Sequence, residues 1–314
     1  MKEQKIQNQY QQPILSDIWG QLPKHEPILI KNTLRRFQKM LITGPSKSCK
    51  TTMAIQLAIA IIEGTMWLEN DCYKGKVLYV NLDSSVATLF TRFHEIYEAL
   101  ETKANSLENI NILNLKGNMI TNDYVKFVEY LVTAAENQNY NLIIIDSIDY
   151  LLEGDDSNHL LVMNRLLDGL MFKTGTCLAL VTTNDESSLL STNSDTVVEV
   201  IPTGTSAIGD YRLSIKANLF KPDNQKVLRF DYPAVRVIGS YNAENIQHAN
   251  NLKKEKSNDE FIKAFEKLSP EGEPIPVMDL ANYLKIRRES LYRKVKKIPG
   301  FQTDIGMIVR LNNE

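Results

Sequence analysis

Apolar residues fall along the chain in short unbroken runs separated by longer stretches of helical spacing. The runs cover residues 37–43, 76–83, 110–115, 141–146 and 176–184, each bounded by polar or turn residues. Runs of this length predict strands buried on both faces. Between them, residues 51–62 read as a largely apolar helix, and 85–100, 124–136 and 159–172 carry amphipathic spacing. Strands alternating with helices over 37–184 predict an α/β fold, a mainly parallel sheet flanked by helices on both faces. From 197 to 237 the pattern changes to strands and turns, with strands at 211–216 and 226–232 expected to extend the sheet as antiparallel hairpins.

The polar pattern divides the rest. Residues 1–13 read as a disordered arm, 14–240 as the α/β domain with a lead-in over 14–39, and 241–258 as a lysine-rich linker. Residues 259–314 predict a small domain: a helix over 259–268, a helix over 276–284, a tight turn, a helix over 289–295 and a hairpin over 301–311. This is helix-turn-helix spacing followed by a hairpin, the order of a winged helix. No internal repeat is present.

The chain has 314 residues, 43% of them hydrophobic, which suits one large domain and one small one. A net charge of −2 excludes a uniformly basic coat, so any contact with nucleic acid must be a local patch. Cys49, Cys72 and Cys177 lack metal-ligand spacing and imply no disulfide framework, pointing to a reducing cytoplasm. The polar N-terminus is no secretory h-region, and the apolar run ending at Glu63-Gly64 is too short to span a bilayer.

The chemistry concentrates in Gly44-Pro45-Ser46-Lys47-Ser48-Cys49-Lys50-Thr51-Thr52. This matches the phosphate-binding loop G-x-x-x-x-G-K-[ST] at every fixed position but the second glycine, which is Cys49. A strand enters the loop and a helix leaves it. Backbone N–H groups and the positive helix end would cradle a triphosphate, Lys50 would meet the β and γ oxygens, and the Thr51 hydroxyl would ligate Mg²⁺. A side chain held at positive φ at position 49 would cost about 1–2 kcal/mol, on the order of a tenfold loss of affinity.

Other residues gather around this loop in the expected topology. Asp146 ends an apolar strand, where a phosphate-loop ATPase keeps the carboxylate of its Mg²⁺ shell. Asp83 ends the preceding strand, where a carboxylate could orient and deprotonate water; an N-cap or solvated strand-end acid is the plain alternative. Thr183 and Asn184 close a further strand at the same edge, as γ-phosphate sensors or as simple turn residues. Arg212 and Lys216, four apart in a predicted strand, share a face and could reach a neighbouring subunit's γ-phosphate, or be solvated charges. Residues 285–297 carry seven Lys or Arg against Glu289 alone, a net +6 in thirteen residues. There Arg287, Arg288, Ser290, Arg293 and Lys294 would meet DNA phosphates or base edges; an exposed lysine-rich helix or a protein-docking module is the alternative.

With these residues placed, the chain resembles the RepA/KaiC-like branch of RecA-fold phosphate-loop ATPases found in plasmids, phages and integrative elements. The stretch 34–51, together with 54–58, 75–82 and 228–233, carries the resemblance, which spans roughly 17–237. It implies a RecA-like core with ATP and Mg²⁺, a hexameric ring with nucleotide between subunits, and single-stranded DNA in a central channel. It assigns Lys50 and Thr51 to nucleotide and metal, Asp146 to the Mg²⁺ shell, and Asp83 to the place of a catalytic glutamate. Phe37 and Cys49 stand where relatives carry glycine, Asp83 is one methylene short, and Thr182-Thr183-Asn184 replaces histidines or a glutamine. These departures point toward slow or absent hydrolysis. The sequence therefore supports three readings. One is a helicase-like motor or loader in the DNA replication or maintenance of a mobile element, working with single- or double-stranded DNA and a replication partner. The second is a degenerate ATPase-fold scaffold, and the third is a DNA-binding regulator whose assembly follows its nucleotide state.

Overall fold

The computed structural model describes residues 15–20, 24–117, 124–151, 157–183, 189–203, 210–220, 225–241 and 257–311. The expected arm over 1–13, most of the linker and Asn184 lie outside them. The chain divides into two compact units, Met1–Tyr241 and Asn242–Glu314.

In the first unit two short hairpins precede and follow the loop region: β1 (Ile28–Ile30) with β2 (Leu34–Arg35), and β4 (Met66–Trp67) with β5 (Asn70–Asp71). The main sheet contains β3 (Lys39–Thr43), β6 (Val77–Asn81), β7 (Ile110–Asn114), β8 (Leu142–Asp146), β9 (Cys177–Thr182), β10 (Thr196–Pro202), β11 (Asp210–Ala217), β12 (Lys226–Asp231) and β13 (Ala234–Ser240). Its order is β13-β12-β11-β10-β3-β9-β8-β6-β7, nine strands. β10, β3, β9, β8, β6 and β7 run parallel, and β11 to β13 close the sheet as an antiparallel meander. The expected strands at 211–216 and 226–232 do extend the sheet as antiparallel strands, and before them β10, within the stretch read only as strands and turns, pairs parallel with β3, Val197 opposite Leu41. The parallel part thus gains one strand before the chain reverses.

Besides a single turn at Leu15–Ile18, the α-helices among the described residues of this unit are α1 (Lys50–Glu63), α2 (Val86–Ala99), α3 (Tyr124–Gln138), α4 (Ser157–Thr174) and the single turn α5 (Leu189–Thr192). α1 is apolar all round because it is buried: every residue from Met53 to Ile62 is inside. Gly64 at φ 70° stops it, its N–H returning to the Ala60 carbonyl. α2 starts at Ser85, whose hydroxyl accepts from the Thr88 N–H, and buries Leu89, Phe93, Ile96 and Tyr97. One apolar layer joins α1 and α2 to a sheet face through Met40, Ile42, Tyr79 and Ile144. A second joins α3 and α4 to the other face through Leu41, Val80, Ile143 and Ile145. Alternate residues of each strand serve opposite layers, so the strands read as unbroken apolar runs.

The second unit has its own core. Residues 257–268 form a helix, α6; β14 (Ile275–Pro276), α7 (Val277–Tyr283), α8 (Arg288–Val295), β15 (Phe301–Asp304) and β16 (Met307–Arg310) follow. The three strands order as β14-β16-β15. Phe261 and Phe265 each meet Phe301 edge-on at 5.0 Å over Leu280, Leu291 and Ile308.

Candidate phosphate-binding site

The register sets Thr43 opposite Thr182, and Asp146 opposite Val181 on one side and Asn81 on the other, at the carboxyl edge of four adjacent strands. Ligands of open α/β sheets bind at such an edge. The loop 44–49 lies between β3 and α1. Gly44 is required: a Cβ there would come within 2.4 Å of the Val200 carbonyl oxygen. Tyr211 braces the outer side, its hydroxyl donating to the Lys47 carbonyl at 3.2 Å.

Cys49 caps α1 at φ 59°, ψ 14°, the left-handed conformation for which glycine is favoured. Burial pushes its thiol pKa up to about 12, with Lys50 opposing. Lys50 is buried, and its ammonium donates to the Gly44 and Pro45 carbonyls, both at 2.7 Å. Burial lowers its pKa, opposed first by Asp149, then by Cys49 and Asp146. A cation whose hydrogen bonds go to carbonyl dipoles at the mouth of a helix suits an anion that replaces them.

Asp146 is 1% exposed. Its Oδ1 accepts from the Thr51 hydroxyl at 3.3 Å and its Oδ2 from the Tyr79 hydroxyl at 2.6 Å. Burial raises its pKa, while those two hydrogen bonds pull the other way. Loop, Asp83 and Asp146 come together around a cavity of about 510 Å³. Thr183 lines it as well.

Several residues of the cavity carry no mark in the sequence. Asp149, three past Asp146, staples two strand ends together. Its Oδ2 accepts from the Thr183 N–H and hydroxyl, both at 2.7 Å, and from the Ser147 hydroxyl at 2.9 Å, while its Oδ1 takes the Thr182 hydroxyl. Tyr150 donates to Asp83 Oδ1 at 2.6 Å. Arg92 and Ile96 from α2, and Phe230, Tyr232 and Pro233 from the β12–β13 turn, line the remaining wall. The turn is tied to α2 by Tyr232 donating to Glu95 at 2.6 Å, and to α1 by a two-way bond between Gln56 and Val235. A tyrosine and a proline after a strand carry no spacing that marks them, so only the family resemblance over 228–233 offered a signal.

Arg212 and Lys216 do share a face of β11, apart from the residues lining the cavity. The Arg212 guanidinium lies over the Tyr241 ring at 5.4 Å, its buried Nε without a hydrogen-bond partner among the described residues, and Lys216 faces Glu199 at 3.9 Å. In the second unit Arg287, Arg288, Ser290 and Arg293 are exposed, whereas Lys294 is half-buried, which lowers its pKa. Arg288 is drawn onto Tyr292, its Nη2 3.1 Å from the hydroxyl.

Among the described residues no group of three or more His, Cys, Asp or Glu forms a protein-only metal site. No helix among them is long and apolar enough to cross a membrane. A Mg²⁺ ion would therefore take few protein ligands and complete its shell with phosphate and water, which fits Thr51 beside one carboxylate. In solved structures the fold is similar to that of the KaiC-like protein PH0186 from the hyperthermophilic archaeon Pyrococcus horikoshii OT3. The two share 18% identity over 67% of this chain and 93% of that one, with a TM-score of 0.50. No curated protein matches the chain. The AAA_25 family, described as AAA domain, matches residues 12–171. A phosphate loop with its strand-end acid on a KaiC-like RecA core, and that match over half the sequence, make the chain a member of the AAA_25 family of phosphate-loop ATPases.

Proposed function

We propose that the chain binds ATP and Mg²⁺ and acts on DNA as a RecA-fold motor or accessory ATPase of a mobile element, helicase-like or a loader, assembled as a homo-oligomeric ring. The observation that carries nucleotide binding is the convergence of Lys50, Thr51 and Asp146 at the start of α1, kept although a thiol replaces the loop's second glycine. Lys50 would hold the β and γ oxygens, and Thr51 and the Asp146 carboxylate would hold Mg²⁺ directly or through water. The ion would supply Lewis-acid neutralisation of charge building on the phosphates. Asp83 would take the proton of water. The wall of Phe230, Tyr232 and Pro233 suits the base, since the two aromatic rings offer π-faces and the proline an apolar edge. The second unit, read as a winged helix, would meet DNA through Arg287, Arg288, Ser290 and Arg293. Arg212 or Lys216 would reach a neighbouring subunit's nucleotide.

A second reading has its own observation. Asp83 is already engaged by Tyr150, so a scaffold that binds ATP and does not turn it over is also consistent. Calorimetry with a nonhydrolysable ATP analogue and Mg²⁺, alongside native mass spectrometry, tests the reading. Wild type should bind and assemble, and Lys50→Ala should lose on the order of a hundredfold in affinity, as expected of a buried charge-assisted contact. A chain that binds no analogue at millimolar concentration would overturn it.

A further inference from the structure

Asp83 differs from the glutamate it replaces by one methylene, about 1.5 Å of reach, and a misplacement of about 1 Å can cost on the order of a hundredfold in rate. The structure supplies a group that spans such a gap. We propose that Tyr150 is a catalytic residue, its hydroxyl relaying the proton of the attacking water to Asp83. The inference rests on the nucleotide reading above and deepens it.

Three observations converge. Tyr150 Oη donates to Asp83 Oδ1 at 2.6 Å, a short bond to a carboxylate 67 residues earlier in the chain. Both residues line the cavity that holds Lys50 and Asp146. The ring is 60% exposed and absent from the apolar core, so packing does not explain why the phenol is held there. The turn after β8 that carries Tyr150 (Ile148–Leu151) also carries Asp149, whose grip on Thr182 and Thr183 fixes it against β9. The phenol is thereby placed on the side of the cavity where the strand-end carboxylates meet. The bond to Asp83 is the foremost cause of a raised Tyr150 pKa, followed by burial, so the phenol stays a proton donor at neutral pH.

A phenol oxygen that donates to Asp83 keeps lone pairs to accept from water. In the step, the water oxygen bonds to the γ-phosphorus as the bond from that phosphorus to the β-bridging oxygen breaks. The bridging electron pair leaves on the nucleoside diphosphate. The water's proton passes to Tyr150 Oη while the phenol's own proton passes to Asp83 Oδ1. Tyrosine is regenerated unchanged, Asp83 leaves the step protonated, and it releases that proton to solvent with the products. Nothing is oxidised or reduced, and the reactants are water and the nucleoside triphosphate already proposed.

The relay makes a rescue pattern that a structural role would not. Tyr150→Phe should lower single-turnover hydrolysis roughly ten- to a hundredfold, the range of one general-base contribution, with analogue affinity changed less than about twofold. Asp83→Glu restores the missing reach, so the double variant Tyr150→Phe with Asp83→Glu should hydrolyse within about threefold of Asp83→Glu alone. A second readout needs no nucleotide. In protein labelled at the tyrosine ring Cζ carbon, the resonance that disappears in Tyr150→Phe should shift in Asp83→Asn. Equal or faster hydrolysis by Tyr150→Phe would show a plug instead of a relay. The same loss in the Asp83→Glu background, or an unmoved resonance, would also overturn the proposal. Wild type that binds the analogue without any turnover would leave nucleotide binding standing and remove the relay; failure to bind would remove both.

Discussion

Cys49 carries a side chain at φ 59°, and Phe37 does so at φ 61°. Each sits where relatives of the resembled group keep glycine. Holding an L side chain there costs about 1–2 kcal/mol relative to glycine. If the free and the bound loop share this conformation, the strain burdens the fold in both states. It is then a stability cost, and the tenfold affinity loss expected from the sequence arises only where the free loop relaxes away from this conformation. Cys49→Gly relieves the strain but adds about 0.5–1 kcal/mol of chain entropy to the unfolded state. The net is about 0–1.5 kcal/mol of stabilisation, at most near 3–6 °C in Tm for a unit of this size. Analogue affinity should then change less than about threefold, and a tenfold gain measured by calorimetry would show that the free loop relaxes away from φ 59°. Phe37→Gly should not stabilise. It discards the stack on Phe172 at 6.2 Å and the contact with the Arg36 guanidinium at 5.7 Å, and such pairs are worth about as much as the strain. A rise in Tm for both variants would show that the aromatic stack contributes nothing.

The parallel strands gather their ends into one row, and β8 ends on the most deeply buried carboxylate of the cavity. Burial raises the Asp146 pKa above its ordinary 3.8, so the folded state resists ionising it. A carboxyl with a raised folded pKa holds its proton longer in the fold than in the open chain. Its ionisation therefore weakens the fold as pH rises through the window above 3.8, and protonation removes that penalty as pH falls. Asp146→Asn, measured by thermal melts in chelator without nucleotide, should match or exceed wild type in Tm at pH 8, with the gap closing toward pH 5. The same variant should lose Mg²⁺-dependent binding of the analogue. A variant less stable than wild type at pH 8 would mean that the hydrogen bonds from Tyr79 and Thr51 outweigh the desolvation. At this scale much was legible in the chain. Unbroken apolar runs gave β3, β6, β8 and β9 to within a residue or two, because strands buried on both faces leave no polar positions. β10 and β13 were not separated from the hairpins around them, since Thr196–Pro202 alternates Val with Glu and reads equally as an antiparallel strand. The two-residue strands β2, β4 and β5 carry too few residues to set a period. Asp83, Asp146 and Lys50 were legible from strand-end and loop position. Asp149, Tyr150 and Tyr79 were not, because what marks them is a partner 33 to 67 residues away: Thr182, Asp83 and Asp146.

Over the whole molecule, charge is partitioned where the net value of −2 conceals it, and the +6 stretch belongs to the second unit, with its own core. Its basic residues are not equivalent. On α8, Leu291 and Val295 face the core, and Arg293 projects into solvent one turn past Glu289. Lys294 leans toward α6, where Glu260 favours its charge while burial opposes it. Arg288 spends part of its guanidinium on Tyr292. If this unit meets duplex DNA through α8, removing the one phosphate partner that Arg293 neutralises should reduce the slope of log affinity against log salt by about 0.9. At a fixed salt the full chain with Arg293→Ala should bind several-fold more weakly, whereas Lys294→Ala should stay within about twofold of wild type. Arg288→Ala should fall between them, because freeing the guanidinium from the ring offsets part of the contact it would make. Fluorescence anisotropy on a labelled duplex at two salt concentrations separates the three. Equal losses for Arg293→Ala and Lys294→Ala would place DNA on a different face of α8, and binding without salt dependence would mean that this patch does not neutralise phosphates at all.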